Sequence, residues 1–185
     1  MALMNFLAQR QAVIVDRWFD LVMATYPPET ARLFKKESNR FANPVGSTTL
    51  DGLKETFAVL LQGYDPQKLT PALDKVIRIR AIQDFTPSDA LYFALALKSL
   101  VRDELAEPIS AGQVTAEELQ QFDVTVEQLL LLAFNIYMQC REQLYELRVS
   151  EVRNQSARLL QRANILWTAP EQEDNSKESI NTNPT

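Results

Sequence analysis

Histidine is absent from this chain of 185 residues, and cysteine and glycine are scarce, with one and four residues. Histidine is the usual general base and the commonest metal ligand of proteins. Its absence excludes Ser-His-Asp and Cys-His catalysis, zinc sites that use histidine, and a haem held by a proximal histidine. The single cysteine, Cys140, cannot form an intramolecular disulfide. We therefore expect no catalytic residue, no metal site and no cofactor. Chemistry that uses carboxylates alone, or a haem held by another axial ligand, is the less favoured alternative.

Long apolar runs, glycine-rich loops and a targeting segment are also missing. No stretch reaches the roughly 20 apolar residues that span a bilayer, and without a glycine-rich loop we expect no P-loop or dinucleotide site. The N terminus has neither a basic start nor a small-residue cleavage site. The net charge of −5 repels phosphate backbones and anionic lipid. We expect a cytoplasmic protein that binds no nucleic acid and does not insert into membranes.

Apolar residues recur at helical spacing along most of the chain. The pattern predicts a first helix over residues 3–24. A later run, Ala90 to Leu97, is apolar on nearly every face and is expected in the middle of the bundle. From Thr115 to about Leu166 no glycine or proline occurs, which predicts a last helix of about 50 residues. The fold class that follows is an all-α helical bundle with a long C-terminal helix.

Two threonines are placed to begin helices. Thr86 precedes Pro87, which suits the first helical position, and Asp89 follows three residues after the threonine. Thr115 has Glu118 in the same relation. Each pair predicts a capping box, in which the threonine hydroxyl accepts a hydrogen bond from the backbone N–H of the acidic residue.

The end of the last helix carries a heptad pattern that favours a homodimer. Apolar or small residues recur there at alternating spacings of four and three: Tyr145, Val149, Val152, Ser156, Leu159, Ala163 and Leu166. Three heptads that contain a serine and an alanine form a weak coiled coil, so a dimer needs help from elsewhere. In the alternative interpretation the helix packs this stripe on its own domain.

The expected organisation is one domain with a tail. Residues 1–166 form an all-helical sensor or regulatory domain, of which residues 143–166 protrude or dimerise. Residues 167–185 are polar, with one aliphatic side chain, Ile180, and too little apolar surface to offset the entropy of ordering. We expect this tail to be disordered.

Arg80 and Asp84 are the strongest candidates for a site, because they continue an apolar stripe of their helix. The spacing predicts a partly buried pair, and a structural ion pair at the helix junction is the main interpretation. Ligand binding is the alternative, in a pocket between the first helix and the junction that Trp18, Tyr26 and Arg80 border. Catalysis by Asp84 or Asp89 is least favoured, because a carboxylate beside an arginine is held ionised and is a poor acid.

Three other places have two interpretations each. Arg10 and Arg17 either lay their stems on apolar surface with their heads in water or bind an anion. The loop 39–44 is either a connection anchored in the core by Phe41 or a recognition loop. Cys140 is either an inert packing residue or, if a neighbouring arginine lowers its pKa, a redox sensor.

Several of these motifs together resemble the N-terminal sensor domain of RsbT co-antagonist proteins, the RsbRD-type domain, over about residues 5–165. The matching segments are Arg17-Trp18, Tyr26-Pro27, residues 39–44, residues 80–90 with Phe93 and Leu97-Lys98, and residues 153–160. The resemblance implies a bacterial, non-enzymatic regulatory module, with a haem-free, globin-like helical domain that forms dimers.

In the family that the resemblance indicates, the last helix leads into a phosphorylated STAS domain. This sequence departs from that pattern, because a polar tail follows its last helix, so the phosphorylated threonines are not carried over. We therefore expect a homodimer that signals through an unidentified protein partner. The alternative is a small-molecule-binding helical protein associated with anaerobic redox metabolism.

Overall fold

A computed structural model describes residues 2–36, 41–83 and 85–162 of the chain. These residues form eight α-helices and, within those ranges, no strand. The helices are α1 (Ala2–Gln9), α2 (Gln11–Met23), α3 (Pro28–Lys36), α4 (Pro44–Gln62), α5 (Pro66–Ile82), α6 (Pro87–Glu104), α7 (Ala106–Ser110) and α8 (Ala116–Arg162). The predicted all-α class with a long C-terminal helix is confirmed.

The chain divides into two compact units, Met1–Glu146 and Leu147–Thr185. In the first unit α4 packs most extensively against α5, and α2 packs against both α4 and α6. The second unit is described as far as residue 162, where α8 ends. None of the helices in the described ranges combines the length and the hydropathy that crossing a membrane requires.

Arg10 interrupts the single helix predicted over residues 3–24. α1 ends at Gln9 and α2 begins at Gln11, and the backbone of Arg10 has φ −102° and ψ 12°, outside the α region. Its guanidinium donates a 2.5 Å hydrogen bond to the backbone carbonyl of Glu104 at the end of α6. The junction between α1 and α2 is thus attached to the C-terminal end of α6.

Both threonines cap their helices as predicted, and the capping box of Thr115 and Glu118 has both of its backbone hydrogen bonds. The Thr86 hydroxyl accepts a hydrogen bond from the backbone N–H of Asp89 at 3.2 Å and donates one to its carboxylate at 2.6 Å. The Thr115 hydroxyl accepts from the backbone N–H of Glu118 at 3.1 Å, and the Glu118 carboxylate accepts from the backbone N–H of Thr115 at 3.1 Å. These bonds satisfy orphan donors at the starts of α6 and α8.

Trp18 of α2 is fully buried in the core. Its indole N–H donates a 2.8 Å hydrogen bond to the backbone carbonyl of Phe93, so burial leaves this donor satisfied. The ring of Phe57 in α4 packs edge-on at 6.5 Å between centroids, and that of Phe93 in α6 lies at 5.9 Å. One side chain therefore joins α2, α4 and α6.

The apolar run of α6 is only partly buried, contrary to the prediction that it lies in the middle of the bundle. Ala90, Phe93 and Leu97 are buried, but Tyr92 is 55% exposed and Leu95 is 40% exposed. The apolar residues of this run therefore extend beyond the face of α6 that the other helices of the first unit bury. The remainder forms one wall of a surface groove.

Candidate functional site: a buried arginine, an apolar groove and an exposed helical row

Arg80 lies in the last turn of α5 and is 1% exposed. Its guanidinium donates to the backbone carbonyl of Ala90 at 2.9 Å, to that of Asp89 at 2.8 Å and to the hydroxyl of Thr25 at 3.2 Å. Both carbonyls belong to the first turn of α6. Arg80 therefore joins α5 and α6 across their junction and also reaches the end of α2.

Aromatic rings surround the guanidinium. The Arg80 carbon Cζ lies 4.3 Å from the ring centroid of Phe85 and 5.9 Å from that of Tyr26, within the range of cation–π attraction. Tyr26 in turn packs edge-on against Phe34 and Phe85, at 5.2 and 5.3 Å. Its hydroxyl donates to the side-chain oxygen of Gln83 at 2.7 Å.

Burial dominates the electrostatics of this cluster. It lowers the pKa of Arg80, an effect that the neighbouring Tyr26 opposes, and it raises the pKa of Tyr26. Arginine nevertheless stays protonated, because its ordinary pKa lies far above neutral pH. No buried side-chain nitrogen or oxygen among the described residues lacks a hydrogen-bond partner.

The four residues expected to border a ligand site do not all lie together among the described residues. Arg80 and Tyr26 lie together, and their role in binding a ligand stays a prediction. Trp18 makes its ring contacts with Phe57 and Phe93 in the core. Asp84 lies outside the described residues, so the predicted Arg80–Asp84 pair stays a prediction.

Arg10 and Arg17 converge on Glu104. The two guanidinium groups lie 3.4 and 2.8 Å from the two carboxylate oxygens of that residue. Their side chains are 36% and 46% exposed, so the two heads reach water as expected, and the carboxylate at the end of α6 also holds both. Periodicity places arginines on a helix face but does not reveal a partner more than 80 positions away in the sequence.

The loop before α4 does not place its aromatic residue in the core. Phe41 is 99% exposed, so the expectation that it inserts into the core is wrong. Among residues 41–43, the part of the loop that the structure describes, Asn43 is buried. Its side-chain oxygen caps α4 by accepting from Gly46 N–H at 2.9 Å, and its amide donates to the carbonyl of Phe34 at 2.7 Å.

Cys140 is buried in α8, and burial raises the pKa of its thiol. A reactive cysteine needs the opposite shift, because the thiolate is the nucleophile. The packing interpretation of Cys140 is therefore favoured over redox sensing.

An apolar groove of about 370 Å³ lies between α6 and the first half of α8. Its lining residues are Pro87, Ser88, Leu91, Tyr92, Leu95, Leu130, Leu131 and Phe134. Large apolar residues in the lining are exposed, notably Leu131 at 65%. Sequence reasoning missed this groove because it assigned the apolar residues of α6 to the core.

The heptad residues predicted to form a dimer are exposed in both units. Tyr145 in the first unit and Val149, Val152 and Leu159 in the second have exposures between 50% and 65%. We call these four residues the exposed row. The alternative, in which the stripe packs on its own domain, does not hold for them. Leu166 lies outside the described residues.

The helices that carry the Arg80 junction, the groove and most of the exposed row coincide with a known domain. Residues 12–152 match the family described as the RsbT co-antagonist protein rsbRD N-terminal domain. The chain belongs to this family. The matched residues extend from α2 into α8 and leave Leu159 beyond their end. The RsbRD N-terminal family is a family of regulatory domains.

A relative of this RsbRD-type domain is an uncharacterized protein of Archaeoglobus fulgidus. It is 28% identical over 139 residues, which cover 75% of this chain and 82% of the relative. No solved structure matches the chain. The globin-like form expected from the family resemblance therefore stays a prediction.

Proposed function

We propose that this RsbRD-type domain is a non-enzymatic regulatory module that homodimerises through the exposed row of α8 and acts on a partner protein by contact. Membership of a family of regulatory domains supports the general class. The observation that carries the dimer is the exposed row itself. Monomeric proteins seldom expose contiguous large apolar residues, and a surface of this kind is typical of a protein contact.

The Arg80 cluster supports action by contact rather than by chemistry. The guanidinium of Arg80 is directed at backbone carbonyls and the Thr25 hydroxyl inside the unit. The indole N–H of Trp18 is likewise used within the core. Both side chains serve the packing of α6, which favours a structural role over the small-molecule pocket expected as the alternative.

The substitution Val152→Asp tests the dimer. It places a charge in the exposed row, and burying an unpaired charge at an interface is strongly unfavourable. We expect sedimentation velocity to show a dimer for the unmodified chain and a monomer for the variant. Asn154→Asp adds the same charge to an exposed position outside the row and should remain dimeric. An unchanged mass for Val152→Asp contradicts the proposal.

A separate experiment addresses the partner. The full chain and its Val152→Asp variant serve as two baits in a native lysate, with Asn154→Asp as the matched control. A protein held by the unmodified chain and the control, and lost with Val152→Asp, requires the exposed row or the dimer. Equal retention by all three baits places the partner contact elsewhere on the domain, and no retained protein contradicts action through a partner.

A further inference from the structure

The apolar groove offers a docking surface without a charged lining residue. Its walls are two neighbouring helix faces, and Tyr92, Leu131 and Phe134 present exposed rings and methyl groups along them. An amphipathic helix fits such a groove by inserting apolar side chains at helical spacing. The shape and apolar lining of the groove are thus suited to bind a helix with one apolar face.

The exposed row has that face, but it is poorly suited to pair with itself in parallel. With Val149 at heptad position a and Val152 at d, Arg148 falls at g and Arg153 at e. In a parallel two-stranded coil, g faces e of the next heptad on the partner. Arg148 would then lie against Arg153 of the second copy, and Ser156 would place a hydroxyl in the core. The exposed row is therefore better suited to bind a different surface than to bind the same row on a second copy.

The groove avoids this repulsion, because none of its lining residues is charged. Residues 147–162 contain four arginines and one glutamate. Two rows side by side oppose these like charges, and like charges placed opposite each other at an interface suppress that pairing. In the groove the arginines meet no charged lining residue.

The lengths also agree. Along α6 the groove runs from Pro87 to Leu95, about 12 Å at the helical rise of 1.5 Å per residue. Val149 and Leu159 are separated by about 15 Å along α8 by the same measure. Every residue from 147 to 161 is exposed, so this apolar face is available to a second molecule.

From these observations we infer that residues 147–162 of one copy bind as a helix in the apolar groove of a second copy, with Val149, Val152 and Leu159 of the exposed row facing α6 and α8. The inference rests on the proposed homodimer and specifies its contact as row in groove rather than row on row. In a two-fold dimer the exchange is reciprocal, because each copy supplies one groove and one row.

Disulfide trapping in the full chain tests this contact, because Cys140 is the only native thiol. In a Cys140→Ala background, Ser88→Cys places a thiol in the groove and Ser156→Cys places one in the heptad pattern of the row. Ser110→Cys, an exposed position on α7, is the matched control. A mass tag on the Ser156→Cys chain separates mixed disulfides from like-with-like disulfides, and circular dichroism verifies that every variant is folded.

We expect mild oxidation to link Ser88→Cys with Ser156→Cys several-fold more than Ser110→Cys with Ser156→Cys. Equal yields at the groove and control positions overturn the inference. So does a dominant disulfide between two Ser156→Cys chains, which indicates row-on-row pairing and leaves the proposed dimer intact. A monomeric unmodified chain in sedimentation overturns both the inference and the proposed dimer.

A charge in the groove gives a second, independent readout. Leu131 is exposed, so Leu131→Glu should fold normally, and we expect it to weaken dimerisation about ten-fold or more, as removal of an interface anchor does. Gln128→Glu adds the same charge at an exposed position outside the lining and should leave the dimer unchanged. Wild-type dimerisation of Leu131→Glu contradicts the groove as the contact.

Discussion

Gly52 of α4 faces Val76 of α5 without room for a side chain between them. A β-carbon at position 52 would come within 2.7 Å of Val76 Cγ2 and 2.9 Å of the backbone carbonyl oxygen of Ala72. The second atom is backbone and cannot move aside by rotating a side chain. Glycine at this position allows α4 and α5 to approach closely.

Gly52→Ala should therefore destabilise the first unit, although alanine is the better helix former. We expect the strain of overpacking, about 1–3 kcal/mol, to exceed the gain of about 1 kcal/mol in helix propensity. The net loss in the free energy of unfolding is then up to about 2 kcal/mol. Urea denaturation followed by circular dichroism measures the difference. Lys54→Ala, two residues further along α4 and exposed, should change stability by less than about 0.5 kcal/mol. A stabilised Gly52→Ala chain would show that the two helices separate easily.

Arg80→Lys should also be strongly destabilising. Lysine retains the buried charge but cannot direct a planar fork at the carbonyls of Asp89 and Ala90 and the hydroxyl of Thr25 at once. We expect a loss of about 2–4 kcal/mol, since hydrogen bonds to charged groups contribute about 1.5–3 kcal/mol each. The same change at Arg78, which forms an exposed pair with Asp74, should cost about 0.5 kcal/mol or less.

Equal losses for the two arginine variants would mean that the buried contacts of Arg80 add nothing to stability. Thermal and urea denaturation of both variants, measured in the same buffer, decide between these outcomes. If Arg80→Lys does not fold, hydrogen exchange of the unmodified chain tests whether the contacts of Arg80 stabilise the start of α6. Strong protection of amides in the first turn of α6 is then expected.

Asp123 makes the stability of the domain depend on pH. Its hydrogen-bonded pair with Arg102 holds the pKa of the Asp123 carboxyl below the usual value. Because the folded pKa is lower than the unfolded one, the pair stabilises the fold above the unfolded pKa. That contribution is lost as the pH falls through the folded pKa.

We expect Asp123→Asn to melt at a lower temperature than the unmodified chain at neutral pH. Its melting temperature should then fall less steeply as the pH is lowered to about 3, just below the ordinary aspartate pKa. Scanning calorimetry over this range measures both effects. Asp103→Asn, at an exposed position of α6, serves as the control. Parallel pH curves for Asp123→Asn and the unmodified chain would exclude a contribution from the Arg102 pair.

Local signals in the sequence predict helix starts well. The helix caps of Thr86 and Thr115 depend only on residues three positions apart, so the sequence contains all their participants. The heptad spacing likewise predicts which residues of α8 share a face, and the row from Tyr145 to Leu159 is exposed as a dimer contact requires.

Contacts between residues far apart in the sequence cannot be predicted from such local patterns. The stripe on α5 indicates that Arg80 is buried, but its acceptors are backbone carbonyls of α6, which no residue type reveals. The convergence of Arg10 and Arg17 on Glu104 depends on how α2 packs beside α6. The exposure of Tyr92 and Leu95 depends on how much of α6 the neighbouring helices cover, and hydrophobicity alone does not determine that.

The three hydrogen bonds of Arg80 also limit how the domain can change its conformation. They attach α5 to the start of α6 and to Thr25 at the end of α2. A hinge at this point would have to break all three bonds and strand a positive charge in a dry interior. We therefore expect the three helix ends to move as one block, so that a conformational change crossing this region is a switch between discrete packings rather than gradual bending.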